Sequence, residues 1–266
     1  MFDSAIRVFL LLVIGATPAL AQAPDTVFLE ELTWTEVRDA IRSGKTAVLF
    51  PTGGTEQNGP HMVLGKHNFI MRYTAEKIAR RLGNALVAPV LAYVPEGDLE
   101  PPSGHMRYPG TITLPREIFM KLAESAARSF EVSGFTDIVL LGDSGGNQEG
   151  LKEVAERLNR EWAGKRVRAH FIPEYYSANG VKEWLVAQGE SEEAIGTHAG
   201  ISDTSQLLAL DPSLIRKDKL APNGGFEGSG VRGDPSRARS SYGEKALELK
   251  IEAAVAAIRK AIGAAR

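Results

Sequence analysis

Hydrophobic positions along this chain follow two alternating periods. Residues 45–51 (KTAVLFP) form a short apolar run rich in strand formers, and the TGGT at 52–55 can continue neither a strand nor a helix. Beyond residue 67, Phe69, Ile70, Tyr73, Ile78, Ala79 and Leu82 recur at helical spacing with Lys and Arg between them, which predicts a helix. Further strand-like runs occupy 85–91, 137–141 and 167–172, and helical patterns cover 115–132, 148–162 and 244–264. Strand alternating with helix predicts an α/β fold in three α/β/α layers, with a mostly parallel central sheet covered on both faces. No internal repeat and no Pro/Gly/Ser-rich linker divides the chain, so residues 22–266 are expected to form one domain. The Gly-rich, polar segment 221–243 is expected as a long surface excursion within it.

Composition narrows the class. The chain has 266 residues, 43% hydrophobic and 24% charged, which is enough for a core of ordinary size. Its formal net charge is -2 with neither sign concentrated, which leaves no basic footprint for nucleic acid and no polybasic membrane patch. A small polar molecule is the expected partner. At the N-terminus, Arg7 precedes the apolar run 8–15 and then Ala19-Leu20-Ala21, the pattern of a secretory signal peptide over residues 1–21. That run is shorter than the roughly 20 residues of a spanning helix. A periplasmic or secreted protein is expected, without membrane attachment after cleavage and, having no cysteine, stabilised without disulfides.

Four polar islands interrupt the pattern, each expected in a loop: 56–67, 103–111, 142–147 and 197–205. The first, within PTGGTEQNGPHMVLGKH (51–67), puts a carboxylate, amides and two imidazoles at the end of a strand, where open α/β sheets bind ligands. Candidate metal ligands are Glu56 and His67 with Asp143 or His61, a set of three protein ligands suited to one Zn or Mn. The turn Gly142-Asp-Ser-Gly-Gly146 also satisfies GxSxG between a strand and a helix, which makes Ser144 a candidate nucleophile, with Glu174 and His198 following in α/β-hydrolase order. His170, inside an apolar run, reads as structural.

The islands resemble motifs of the creatininase (creatinine amidohydrolase) family. The EQHGPH-type loop is matched at 56–61, FPGT by Tyr108-Pro-Gly-Thr111, NGHGGN by 142–147, and HAG...ETS by 198–205, with Gly233-Asp-Pro235 later. The resemblance implies a three-layer α/β/α sandwich, often a hexamer, with a pair of divalent metals activating water to open a C–N bond. It implies pocket or proton-handling roles for His105, His198 and Asp203, and substrate contacts at Gln57, Asn58, His61 and Tyr108. Against the family's ligand pattern this chain keeps Glu56 but has Asn58 for a His, His67 for the bridging Asp and Ser144 for the turn His. It has Gly146 and Ile201 where a second-metal Glu is expected. The expectation is therefore an amidohydrolase of small amides with a remodelled site holding one divalent metal or none. Alternatives are a metal-free Ser144 hydrolase and a small-ligand binder without catalysis.

Overall fold

The computed structural model describes residues 24–220, 226 and 228–265. The expected signal peptide lies outside the described residues. Four parallel strands, β1 (Ala47–Thr52), β2 (Ala85–Val87), β3 (Asp137–Gly142) and β4 (Arg168–Phe171), form a sheet of order β2-β1-β3-β4. Eight α-helices are described: α1 (Trp34–Arg42), α2 (Lys66–Leu82), α3 (Arg116–Ser133), α4 (Gly145–Glu161), α5 (Val181–Ala187), α6 (Glu192–Ile195), α7 (Ile201–Leu210) and α8 (Ser240–Ala264).

Strand residues alternate between two cores, as a sheet covered on both faces requires. Ala47 and Leu49 of β1, with Val139 and Leu141 of β3, pack against Met71, Ala75 and Ile78 of α2 and Ile251, Ala254 and Ile258 of α8. Val48, Phe50, Ile138 and Leu140 face Phe119, Ala123 and Ala127 of α3 and Leu151, Val154 and Leu158 of α4. The three layers expected from the sequence are thus present.

Local chemistry sets the boundaries. A capping box in which Thr33 and Glu36 exchange hydrogen bonds starts α1. Gly83 and Gly134, both with positive φ, end α2 and α3. The run at 85–91 stops as a strand at Val87 because Pro89 has no N–H to extend the ladder.

Two expectations are corrected. The island at 197–205 is only half a loop: α7 begins at Ile201 and carries Asp203 in its first turn. The segment 221–243 is not simply a surface excursion. Phe226 is buried against the His61 ring, the Gly230 carbonyl meets Gln57, and the last residues already belong to α8.

The strand order reverses between β1 and β3: from β1 the chain crosses through α2 to β2 on one side, then returns past β1 to β3 on the other. Ligands bind in such a crevice at the carboxyl ends of the strands.

Candidate functional site

A cavity of about 1170 Å³ opens at this switch point. The loop after β1 contributes Glu56 and Gln57, and the first turn of α2 contributes Lys66 and His67. The end of β3 gives Asp143 and Ser144, a short 3-10 turn at Gly104–Arg107 gives His105, and the segment entering α7 gives His198 and Asp203. Lys250 reaches in from the middle of α8.

The floor of the cavity is a row of alternating charges. Asp203 Oδ2 accepts from Lys66 Nζ at 2.9 Å, and the same ammonium lies 3.3 Å from Glu56 Oε1. Glu56 Oε1 also accepts from His67 Nε2 at 2.8 Å, and His67 Nδ1 donates to Asp143 Oδ2 at 2.7 Å. The other oxygen of Asp143 accepts from Lys250 Nζ. With a carboxylate on each ring nitrogen, His67 is an imidazolium. Burial and the neighbouring Lys66 ammonium oppose its protonation, but Glu56 and Asp143 raise its pKa above the ordinary value. Burial likewise opposes ionisation of Glu56, Asp143 and Asp203. Lys66 for Glu56 and Asp203, and Lys250 for Asp143, outweigh it and hold each below the usual carboxylate range.

Glu96 closes the balance differently. It is buried beside Glu56, and burial followed by that neighbouring charge pushes its pKa up to about 10, so it stays protonated. Three carboxylates therefore face three side-chain cations, and the fourth acid is neutral.

Gln57 fixes the two remaining imidazoles. The Gly59 N–H donates to Gln57 Oε1 at 2.9 Å, which turns the amide N–H toward His105 Nδ1 at 3.0 Å. His105 Nδ1 accepts, so its proton sits on Nε2 and points at Glu56 Oε2, 3.2 Å away. His198 Nε2 donates to the Gln57 carbonyl at 2.9 Å, which leaves the Nδ1 lone pair free, 3.6 Å from Glu56 Oε1. Burial, then the Lys66 charge, pushes the His198 pKa down to about 4, so the ring is neutral near pH 7. Gly230 is required here, because a Cβ would lie 2.4 Å from the Gln57 amide nitrogen at a φ of +84°.

These contacts decide how a divalent ion fits. Among the described residues, Glu56, His105 and His198 form the group whose ligand atoms lie within 4.8 Å of one another. Only His198 in that group offers an open imidazole lone pair, since His105 Nε2 carries its proton and Glu56 Oε1 is already engaged by Lys66 and His67. The set Glu56, His67 and Asp143 expected from the sequence fits less well. His67 has no lone pair left, and both oxygens of Asp143 are taken by cations. Ser144 caps α4, accepting from Gly146 N at 3.4 Å. Gly146 could not carry a ligand, because its Cβ would lie 2.1 Å from the Pro95 carbonyl oxygen, and Ile201 is fully buried core. In this arrangement of protons and ion pairs, none of these sets presents three open donor atoms, so the residues as they stand do not fit a metal.

Of the residues singled out in the sequence, Glu56, Gln57, His67, His105, Tyr108, Asp143, Ser144, His198 and Asp203 all line the cavity. Asn58 and His61, expected as substrate contacts, do not. The buried amide of Asn58 donates to the Glu56 and Val63 carbonyls and braces the loop from inside. His61 is buried against Phe226, with Nε2 3.1 Å from Thr204 Oγ1. Ser144 Oγ has no imidazole partner among the described residues; its side-chain neighbour is Glu96, at 3.5 Å. His170 pairs with Asp137 at the far end of β3, as a structural histidine would. Lys66, Glu96 and Lys250 were missed in the sequence.

Comparison with known proteins agrees with this arrangement of elements. The family described as creatininase, creatinine amidohydrolase, matches residues 30–258. Creatinine amidohydrolase of Pseudomonas putida is 28% identical over 201 residues, 73% of this chain and 76% of that protein. The mycofactocin precursor peptide peptidase of Mycolicibacterium smegmatis is 28% identical over 221 residues, covering 74% and 78%. A solved creatininase with a tryptophan-to-alanine substitution superposes with a TM-score of 0.75 at 25% identity, over 89% of this chain and 99% of that one. Among similar solved structures, one is titled a Mn creatininase and another a Zn-Zn form, with TM-scores of 0.75 and 0.73. With the family matched over residues 30–258 and the overall fold in common, the chain belongs to the creatininase family.

Proposed function

We propose that this chain hydrolyses a C–N bond in a small amide or cyclic amide. The observation that carries the proposal is the neutral His198 imidazole, whose open Nδ1 faces a large polar cavity beside buried cations. Relatives are named for hydrolytic work on creatinine and on a peptide, and both substrates contain C–N bonds to a carbonyl-type carbon.

The residues divide the reaction between them. His198 Nδ1 takes a proton from water as its oxygen attacks the substrate carbon, and the resulting imidazolium returns the proton to the departing nitrogen. Glu56, 3.6 Å from that nitrogen, stabilises the imidazolium while it exists. The Lys66 ammonium has three protons and two carboxylate partners, which leaves one N–H to meet the negative charge that develops on the substrate oxygen. Asp203 holds that ammonium in place and, being ionised, is not the proton donor. Gln57 fixes both tautomers, its amide N–H donating to His105 Nδ1 and its backbone carbonyl accepting from His198 Nε2. Ser144 has no base to activate it, so water is the nucleophile in this reading.

The test is turnover of a panel of creatinine, hydantoins, lactams, linear amides and short peptides by the purified chain, followed by NMR. Hydrolysis of at least one compound is expected, with kcat reduced about 10²- to 10⁴-fold in His198→Gln. If a compound raises the melting temperature but none is hydrolysed, the protein is a binder and the proposal fails.

A further inference from the structure

The creatininases superposed here include Mn and Zn-Zn forms, yet in this chain the carboxylates at the switch point are already occupied. From α7 to α8 the row runs Asp203, Lys66, Glu56, His67, Asp143, Lys250, each anion between cations or at an end. The two ammonium groups come from different helices of one layer, Lys66 from the first turn of α2 and Lys250 from the buried face of α8. Lys66 has 1% side-chain exposure and Lys250 9%, so neither is a surface residue whose charge happens to lie nearby. Lysines are almost never buried to this degree unless paired, and the Lys66–Asp203 and Lys250–Asp143 pairings join residues 137 and 107 apart in sequence.

We propose that Lys66 and Lys250 replace the divalent metals in this chain: their ammonium groups are covalently attached cations that neutralise the acidic site, and the site works without bound metal. A metal centre gathers acidic ligands because an ion of charge +2 offsets their mutual repulsion. Here the polypeptide supplies that charge itself: an ion ligated by Glu56 Oε1 or by Asp143 would have to displace a buried ammonium or the His67 imidazolium, and one on Glu56 Oε2 would have to replace the His105 Nε2–H there. Removing either lysine side chain leaves carboxylates uncompensated, and a divalent ion is then the available counter-charge. The part of the mechanism in which Lys66 meets the substrate oxygen rests on the hydrolase reading; the replacement of metal does not.

The full chain, purified without an affinity tag, is re-equilibrated with Zn²⁺ and Mn²⁺, dialysed and examined by elemental analysis. Fewer than about one-tenth of an ion per chain is expected. One or two ions retained per chain would overturn the proposal. Mn²⁺ titration of Lys66→Ala, followed by electron paramagnetic resonance, is expected to show binding at least about tenfold tighter than wild type. Binding no tighter than wild type would overturn the claim that the ammonium occupies a cation position. If Lys66→Ala does not fold, Lys250→Ala gives the same readout on Asp143. A metal-free chain that hydrolyses nothing removes the hydrolase reading and leaves this proposal standing. A metal-loaded chain that hydrolyses amides does the reverse.

Discussion

Lys250→Met isolates the energetic role of one buried cation. Methionine keeps most of the side-chain length and apolar contact on α8 but removes the charge from Asp143, whose side chain is 2% exposed. Asp143 then keeps the His67 Nδ1–H at 2.7 Å and the neighbouring Tyr175 hydroxyl. Breaking one side of a buried ion pair costs about 3–5 kcal/mol. The contact of the ammonium with the Tyr175 ring, 4.6 Å from its centroid, contributes a further ~0.5–2 kcal/mol when desolvated. Each kcal/mol moves the melting temperature by about 2–4 °C in a chain near this size, so the combined loss lowers it by roughly 7–28 °C. In Lys250→Met/Asp143→Asn the buried charge is gone, while the amide oxygen still accepts from His67. That double variant should recover to within about 1–2 kcal/mol of wild type. Urea unfolding of the three proteins at one pH measures this. A single-variant loss below about 1 kcal/mol, or a double variant no more stable than the single, would refute the account of the charge row.

Other outcomes follow from the same network. Glu96→Gln exchanges a protonated acid for a near-isosteric amide and should cost under about 1 kcal/mol, whereas Glu56→Gln strips a partner from both Lys66 and His67 and should cost about 3–5 kcal/mol; urea titration separates them. Burial lowers the pKa values of His61, His105 and His198, to about 4 for His61 and His198. Between that value and the ordinary value of about 6.5 the unfolded chain binds more protons, so stability falls as pH drops through this window, by about 1.4 kcal/mol per pH unit per fully shifted histidine. Glu96, protonated in the fold up to about pH 10, and His67, whose pKa is raised, bind more protons folded than unfolded and oppose this trend, most strongly near pH 6.5; the shifted histidines outweigh them below about pH 6, and a flat profile between about pH 5.5 and 4.5 would contradict the assigned charges. For the catalysed reaction, the acid limb of kcat/KM should lie near pH 4, where His198 gains its proton, and a limb near pH 6.5 would remove His198 as the base.

Much of the fold could be read from periodicity, because the strand runs are continuously apolar and the helical runs keep one apolar stripe. The β1 run and the α2 and α8 patterns lie within a few residues of the observed elements. The motifs also identified nine residues that line the cavity. What they could not give was direction. Asn58 and His61 belong to the same loop as Glu56, but their side chains turn into the protein rather than into the cavity. The lysines were missed because a lysine in a helical pattern reads as solvated surface. Two signals were nevertheless present. Lys250 falls on the apolar stripe with Leu247, Ile251 and Ala254, where a charge needs a buried partner. Lys66 is the first residue of α2, where the helix dipole disfavours a cation unless anions surround it. Glu96 gave no comparable signal: it follows a proline in an irregular segment, and only the tertiary approach of Glu56 makes it unusual.

The most direct measurement is a crystal structure of the chain soaked in Mn²⁺, with anomalous scattering recorded above the manganese edge. The account predicts no anomalous peak at the switch point, with Lys66 Nζ between Glu56 and Asp203 and Lys250 Nζ on Asp143. A peak ligated by Glu56, His105 and His198, with either ammonium displaced from its carboxylate, would contradict it.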